Sequence, residues 1–153
     1  MGGMDGAYDG SGSERDPFDL DRFVRAQDTD DTYVTALGEL RDGRKRSHWM
    51  WFVFPQVSGL GRSAVAKHFE LSGVDEAKAY LAHPVLGPRL RECARAMAAL
   101  AGRDAVAVLG RVDAAKLRSS MTLFGYVDPE PVFAEVLDRY FDGQRDQETL
   151  RRL

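Results

Sequence analysis

The chain has 153 residues and a formal net charge of −3, from 21 Lys and Arg against 24 Asp and Glu. This length suits one domain that buries roughly two thirds of its unfolded surface, and the negative charge excludes a general nucleic-acid coat but allows a local basic pocket. The single cysteine, Cys93, excludes an intrachain disulfide framework and a four-cysteine zinc site. We therefore expect a protein of the reducing cytoplasm, with no metal ion and no cofactor.

No apolar run approaches the roughly 20 residues that span a bilayer, so we expect no membrane association. Residues 1–15 (MGGMDGAYDGSGSER) are rich in Gly, Ser and acidic residues and lack the basic and apolar regions of a signal peptide. So few large apolar side chains cannot offset the entropy of ordering the segment, which predicts a disordered acidic tail. Residues 16–153 are then expected to form a single helical domain.

After this tail, apolar residues recur at helical spacing in one segment after another. The predicted helices, in chain order, are residues 18–28, residues 30–42, HWMWFVF, AVAKHFEL, DEAKAYL before Pro84, PRLRECARAMAAL from Pro88, DAAKLRSSMTLF, PEPVFAEVLDRYF and a final turn through Leu150. Their expected N-caps are Asp16, Asp30 or Asp31, Ser47, Ser63, Asp113 and Asp146, and their expected ends are Gly43, Gly125 and Gly143. HWMWFVF and AVAVLG are the segments that could instead be strands, and two isolated strands would make a poor sheet. The sequence therefore predicts an all-α, compact domain of about seven to nine short helices with no substantial sheet.

Five segments carry a resemblance to a known family. DPFDLDRFVRAQ, SHWMWFVFPQVSGLGRS, AYLAHPVLGPRLREC, KLRSSMTLF and VLDRYFDGQRDQETL look like the successive motifs of a small, mainly α-helical family of unknown function, some of whose members carry a calpastatin label. The resemblance covers nearly everything from Asp16 to the C-terminus, and it implies a compact helical fold in a cytoplasmic protein of bacterial type, with no established activity or catalytic residues. A calpain inhibitor is typically an extended, disordered segment, so the label does not fit a sequence of globular type.

The glycine-rich turn GLGRSA, residues 59–64, has three interpretations. It fits a loose dinucleotide-binding pattern, but a Rossmann site needs a strand directly before it, and the Lys-Ser or Lys-Thr of a P-loop is absent. The glycines are otherwise plain turn formers, with Ser63 capping the next helix. In the third interpretation, free backbone N–H groups at that helix end and the guanidinium of Arg62 bind a phosphate or carboxylate.

The aromatic run SHWMWFVFP supplies core residues and a candidate cleft. With Ser47 as cap, Trp49 and Phe52 share one side of a helix, while His48 and Trp51 lie toward another. A buried tryptophan N–H needs a partner, so two tryptophans two residues apart are hard to place in one dry core. Trp51 is the ring expected to line a cleft, where a base or sugar could stack; burial of both rings is the alternative.

The best candidate for acid–base catalysis is His48, since an imidazole exchanges protons near neutral pH and Ser47 and Gln56 are close enough in sequence to orient it. The three histidines lack the i,i+4 spacing of a zinc-binding helix, so no metal site is predicted. Cys93 lies in an apolar stripe, which predicts a buried, unreactive thiol.

In KLRSSMTLFG, Lys116 and Ser120 lie four residues apart and can act together as an anion clamp or a serine–lysine nucleophile pair. The alternative is serines packed between helices or bonded to carbonyl groups one turn back.

Two functions follow from these features. The first is a pocket near HWMWFVFPQ and GLGRS for a small phosphorylated or nucleotide-like ligand, and its expected contacts are Trp51, Gln56, Arg62, Ser63, Lys116 and Ser120. The second is a protein-interaction module that presents the aromatic segment as its binding face. A hydrolase of ADP-ribose or nucleotides is a third, by loose analogy with helical proteins of that kind. The sequence leaves open whether any reaction is catalysed.

Overall fold

The computed structural model describes residues 16–102 and 104–153, so the predicted tail over residues 1–15 lies outside the described residues. Across these ranges the chain forms α-helices, one 3-10 turn at Thr29–Asp31 and no strand. The helices are α1 (Asp21–Asp28), α2 (Thr32–Asp42), α3 (Met50–Val53), α4 (Ala64–Phe69), α5 (Val74–Ala82), α6 (Leu86–Ala99), α7 (Ala105–Leu109), α8 (Arg111–Val127), α9 (Pro131–Phe141) and α10 (Gln147–Arg151). The all-α prediction is confirmed, and no helix in these ranges combines the length and apolar character needed to cross a bilayer.

Several helix ends lie where local sequence signals place them. The Ser63 hydroxyl accepts a hydrogen bond from Ala66 N–H (3.1 Å) at the start of α4. The Asp146 carboxylate accepts one from Thr149 N–H (3.0 Å) at the start of α10. Gly43 ends α2 in the left-handed conformation (φ 76°), which a residue without a Cβ adopts at little steric cost. These predicted caps are confirmed, and they satisfy backbone groups that a helix end leaves unpaired.

The first two helices begin later than predicted. Asp16 caps the chain as expected, since its carboxylate accepts hydrogen bonds from Leu20 N–H (2.6 Å) and Asp21 N–H (2.9 Å). Asp19 adopts a left-handed conformation (φ 55°), however, so the helix itself begins only at Asp21. Asp31 precedes α2, also with φ 55°, and its side chain makes no capping hydrogen bond.

Three predicted boundaries are wrong. The Ser47 hydroxyl donates to Glu39 Oε2 (2.7 Å) instead of capping a helix, and α3 begins only after Trp49. Asp113 lies inside α8, which begins two residues earlier, at Arg111. Its carboxylate pairs with Lys45 and Lys116 instead of capping the helix. Gly125 lies inside α8 as well, and a Cβ at this position would be in ordinary van der Waals contact with Phe133 of α9, 3.6 Å away. The AVAVLG segment forms helix α7.

The core contains a row of buried aromatic rings that joins α1, α5, α8 and α9. Ring centroids are separated by 5.1 Å from Phe23 to Tyr80, 5.4 Å from Tyr80 to Phe124 and 6.1 Å from Phe124 to Phe133. Offset contacts at these separations are favourable beyond the burial of their area. Helix α8 packs against α5, α7, α9 and α10, so it is central to the domain.

A buried carboxylate organises the loop between α2 and α3. Glu39, 7% exposed on α2, accepts hydrogen bonds from Arg46 N–H (2.8 Å), Ser47 N–H (3.1 Å), the Ser47 hydroxyl (2.7 Å) and Trp49 Nε1–H (2.8 Å). Burial by itself raises the pKa of Glu39, but the four hydrogen bonds have the larger effect and lower the pKa from 4.5 to about 2. The ionised Glu39 side chain therefore fixes the backbone at Arg46 and Ser47 and the position of the Trp49 ring.

Candidate functional site

The two tryptophans of the aromatic run have different surroundings. Trp49 is fully buried, and its indole N–H is satisfied by Glu39. Trp51 is half-buried and packs against the edge of the core. Glu39 supplies the hydrogen-bond partner that the buried Trp49 indole N–H needs, so only the other tryptophan ring has to contact solvent. Trp51 is that ring.

Two lysine ammonium groups converge on one carboxylate beside Trp51. Lys45 Nζ lies 2.9 Å from Asp113 Oδ2, and Lys116 Nζ lies 3.4 Å from Asp113 Oδ1. The Lys45 side chain is 10% exposed and that of Lys116 20%. Lys116 Nζ also lies 4.9 Å from the centroid of the Trp51 ring, and Lys45 Nζ lies 5.1 Å from that of Trp49, both within cation–π range. One carboxylate thus serves two cations, which leaves the trio with one unmatched positive charge.

Separate elements bring this Lys45–Asp113–Lys116 cluster together. Asp113 and Lys116 lie three residues apart on α8, a spacing that places them on one face of the helix. Lys45 comes from the loop that Glu39 organises, and its backbone N–H donates to Val108 O (2.8 Å) at the end of α7. Because α7 packs against α8, this backbone bond sets the loop beside the lysine and aspartate of α8.

Ser120 lies one turn beyond Lys116 on α8 and is fully buried. Its hydroxyl has no hydrogen-bond partner among the described residues. The neighbouring Ser119 follows the expected alternative, since its hydroxyl bonds to Ala115 O (3.2 Å) and to Asp146 Oδ2 (3.1 Å). A buried polar group without a partner destabilises a fold by about 1–3 kcal/mol and calls for an explanation. Ser120 is therefore the second polar feature of this face of α8.

The cavity that the glycine-rich turn helps to line in the described structure is too small for a ligand. Trp51, Gln56 and Gly61 line a cavity of about 10 Å³, together with Val57, Ala66, Phe69 and Glu70. A single water molecule needs about that much space. Gly59 N–H donates to Glu70 Oε1 (3.2 Å), so part of the turn is already bonded.

Arg62 and Ser63 lie outside the group that lines this cavity. Both residues are exposed, and the Ser63 hydroxyl is occupied by its helix cap. Of the six predicted contact residues, the structure brings Trp51 and Lys116 together, with Ser120 on the same face of α8 as Lys116. Gln56 adjoins the other side of the small cavity, and Arg62 and Ser63 do not converge with the rest.

His48 is exposed, and neither of its expected orienting contacts is formed. Ser47 is bonded to Glu39, and in the described part of the chain no side chain hydrogen bonds to the His48 ring. Cys93 is buried as predicted, and burial raises the pKa of its thiol to about 12. Over residues 16–102 and 104–153, no cluster of three potential ligands is arranged to hold a metal ion.

Lys45, Asp113 and Glu39 were not predicted from the sequence as site residues. Asp113 and Lys116 at i,i+3 were readable as a helical ion pair, and Lys45 belongs to the basic run Arg44–Arg46. Nothing local indicated that Glu39 would gather four donors from the loop that follows α2.

Comparisons with known proteins identify relatives without naming an activity. The chain matches the family model described as "Protein of unknown function (DUF1810)" over residues 17–153. It is also similar to the crystal structure of the conserved hypothetical protein Rv1873 from Mycobacterium tuberculosis. The two chains share 47% sequence identity with a TM-score of 0.87, over 90% of this chain and 98% of that one. No curated protein matches the chain. Because the family model spans nearly all of the sequence, the chain belongs to the DUF1810 family of proteins of unknown function.

Proposed function

We propose that the chain binds a small anionic ligand, phosphorylated or nucleotide-like, at the Lys45–Asp113–Lys116 cluster and the adjoining Trp51 ring. The observation that carries the proposal is that the ammonium groups of two largely buried lysine side chains share one carboxylate. Buried charges are screened by salt much less than exposed ones. An anion that completes this cluster therefore gains more than it would at an open surface lysine.

Trp51 supports a ligand that has a planar or sugar portion next to its charge. The ring is partly accessible, and the ammonium of Lys116 lies against it. A ligand whose phosphate meets Lys116 would bring its remaining atoms beside the indole, where stacking of a base contributes about 1–3 kcal/mol. The indole thus favours a nucleotide-like ligand over inorganic phosphate.

Ser120 extends the proposed site inward. Its unpartnered hydroxyl lies one turn from Lys116 on the same face of α8. A ligand oxygen or an ordered water there would satisfy the hydroxyl and remove its desolvation penalty. Gln56 lines the small cavity beside Trp51, whereas exposed Arg62 and Ser63 could reach only an extended ligand.

Calorimetric titration with AMP, ribose 5-phosphate, adenosine and inorganic phosphate tests the proposal. AMP should bind most tightly, because it offers both phosphate and base, and adenosine should lose the charge-dependent part of the affinity. A ligand present at a hundred times its dissociation constant raises the free energy of unfolding by about 2.7 kcal/mol, which thermal denaturation would detect independently.

Two lysine variants separate this cluster from ordinary surface charge. Lys116→Met should weaken AMP binding about tenfold, since it removes a hydrogen bond between charged groups. Lys78→Met, on the exposed side of α5, should leave the affinity unchanged. The proposal fails if none of the phosphorylated compounds binds, or if the two variants reduce binding equally.

No described feature favours the other two functions to the same degree. The aromatic segment contributes Trp49, Phe52 and Phe54 to the core, which removes the apolar face that a protein-interaction module would need. A hydrolase would need an oriented acid or base, and His48 makes no hydrogen bond to a described side chain. We further propose that the protein works in the reducing cytoplasm, because a chain with a single cysteine forms no intrachain disulfide.

A further inference from the structure

A concave surface that shares no residue with the Lys45–Asp113–Lys116 cluster lies between the start of the described chain and the end of α5. It encloses about 610 Å³, within the range of about 300–1,000 Å³ typical of small-molecule sites. Most of its lining is apolar, from Pro17, Phe18, Leu20, Val24, Ala79, Ala82, Pro84 and Val85. We call this surface the α1–α5 groove.

The polar members of the groove are two carboxylates and one imidazole, from Asp16, Asp21 and His83. The Asp16 oxygens each accept one backbone N–H, which holds the carboxylate in place and leaves further lone pairs to accept. Asp21 faces Arg25 at 3.3 Å, but the Arg25 side chain is 69% exposed, so that pair contributes little. No Lys or Arg lines the groove in the described part of the chain.

His83 contributes a neutral imidazole ring that can donate a hydrogen bond from Nε2. Its Nδ1 accepts hydrogen bonds from Val85 N–H (3.1 Å) and Leu86 N–H (3.2 Å) at the start of α6, so the ring proton of the neutral form is on Nε2. Burial lowers the pKa of His83, while the nearby Asp16 and Asp21 oppose that shift. The ring therefore adds no positive charge to offset the two carboxylates at neutral pH.

We propose that the α1–α5 groove binds an apolar amine, a small molecule with a hydrocarbon or aromatic body and one cationic group. The apolar walls would bury the body, and the Asp16 and Asp21 carboxylates would meet the cation. This site is independent of the anion site at Lys45, Asp113 and Lys116, and it selects the opposite charge.

The charges also argue against the chain's own residues 1–15 as the occupant. That segment contains Asp5, Asp9 and Glu14 against Arg15 alone, and so it would bring acidic residues to an acidic rim. The family model matches residues 17–153, so it includes the groove walls from Pro17 onward but not residues 1–16, to which Asp16 belongs.

The test is a calorimetric titration of the full chain with n-butylamine, n-hexylamine, n-octylamine, n-octanol and octanoate. If the groove buries the hydrocarbon, affinity should rise about fourfold for each added CH₂ along the amine series. Octanol should bind about fivefold more weakly than octylamine, as expected for the loss of one partly exposed charge pair, and octanoate more weakly still.

Variants locate the site. Ala82→Trp, at an exposed position of the groove, should weaken octylamine about tenfold by filling the space, and Asp21→Asn should lower the affinity for octylamine toward that for octanol, with Asp16 still present. Asp75→Asn, an exposed acid at the other end of α5, is the matched control and should change nothing.

Four results would overturn the proposal. Octanoate that binds as tightly as octylamine would refute the charge preference, and an unaffected Ala82→Trp variant would place binding elsewhere. Displacement of octylamine by a synthetic peptide of residues 1–15 would identify the chain's own segment as the occupant. A dimer in light scattering that Ala82→Trp converts to a monomer would identify a second copy.

Discussion

Replacing Glu39 with glutamine tests whether an ionised carboxylate holds the loop between α2 and α3. Glutamine has the same shape and keeps one oxygen, so it can still accept from the N–H groups of Arg46, Ser47 and Trp49. Its amide nitrogen replaces Oε2, and Ser47 then has to accept a hydrogen bond instead of donating one. The substitution therefore removes the charge while preserving most of the geometry.

The size of the effect follows from the pKa of Glu39. Its pKa is 4.5 in an unfolded chain and about 2 in the folded protein. A shift of this size corresponds to about 3 kcal/mol of folding free energy, since each pKa unit is worth about 1.4 kcal/mol. Because the folded pKa is depressed, this stability is fully present above about pH 5 and is lost as the pH falls through the folded value near 2.

Urea denaturation followed by circular dichroism at pH 7, 5 and 3 measures the effect. At pH 7, Glu39→Gln should be about 3 kcal/mol less stable than the wild type. At pH 3 the difference should shrink to roughly 1 kcal/mol, because much of the advantage of the wild-type carboxylate has by then been lost. Glu135→Gln, an exposed residue of α9, controls for the loss of a negative charge and should change stability little at either pH.

A difference between wild type and Glu39→Gln that stays constant from pH 7 to pH 3 would refute this reasoning. It would mean that shape and neutral hydrogen bonds, rather than the charge, stabilise the loop. The comparison is robust because the other carboxylates titrate in both proteins and cancel in the difference.

Three further predictions concern packing and the buried polar groups. Gly87→Ala should destabilise the fold by about 3 kcal/mol in urea, since a Cβ there would lie 2.1 Å from Leu81 O, whereas Gly38→Ala, with open space around it, should stabilise it by about 0.5–1 kcal/mol. Ser120→Ala should stabilise the unliganded protein by about 1 kcal/mol and reduce the thermal shift that AMP produces, and a destabilised variant would show that the hydroxyl has a partner. Cys93 should react with a disulfide reagent at least about a thousandfold more slowly in the folded protein than in urea, because its thiol is reached only after opening, and fast native labelling would contradict its burial.

Several predictions that depend only on neighbours along the chain were accurate. Ser63 and Asp146 cap their helices because each partner N–H lies three residues ahead, within reach of any short polar side chain. The glycine at position 43 had to adopt a positive φ to end α2. At such positions the local sequence contains both members of the interaction, so the pattern alone suffices.

Predictions that depend on a distant competitor failed. Serine often caps helices, but the Ser47 hydroxyl instead donates a hydrogen bond to Glu39, which lies eight positions earlier and comes close once the chain reverses after α2. Asp113 failed for a related reason, because its carboxylate pairs with Lys45, which lies 68 positions earlier in the chain. The helical pattern around Ser47 or Asp113 reveals neither competitor, because Glu39 belongs to the preceding helix and only the packing of α7 on α8 brings Lys45 into range.

The candidate site follows from how the buried polar groups of this loop are satisfied. Glu39 accepts the Trp49 indole N–H, and this partner is what allows one tryptophan to be buried while Trp51, two positions later, meets solvent. The same carboxylate holds Arg46 and Ser47 through their backbone N–H groups, directly after Lys45. Lys45 therefore reaches Asp113 from a loop that is already ordered. The proposed anion site thus depends on a carboxylate that need not touch the ligand, so the stability of this loop and the proposed binding of an anion rest on the same buried charge.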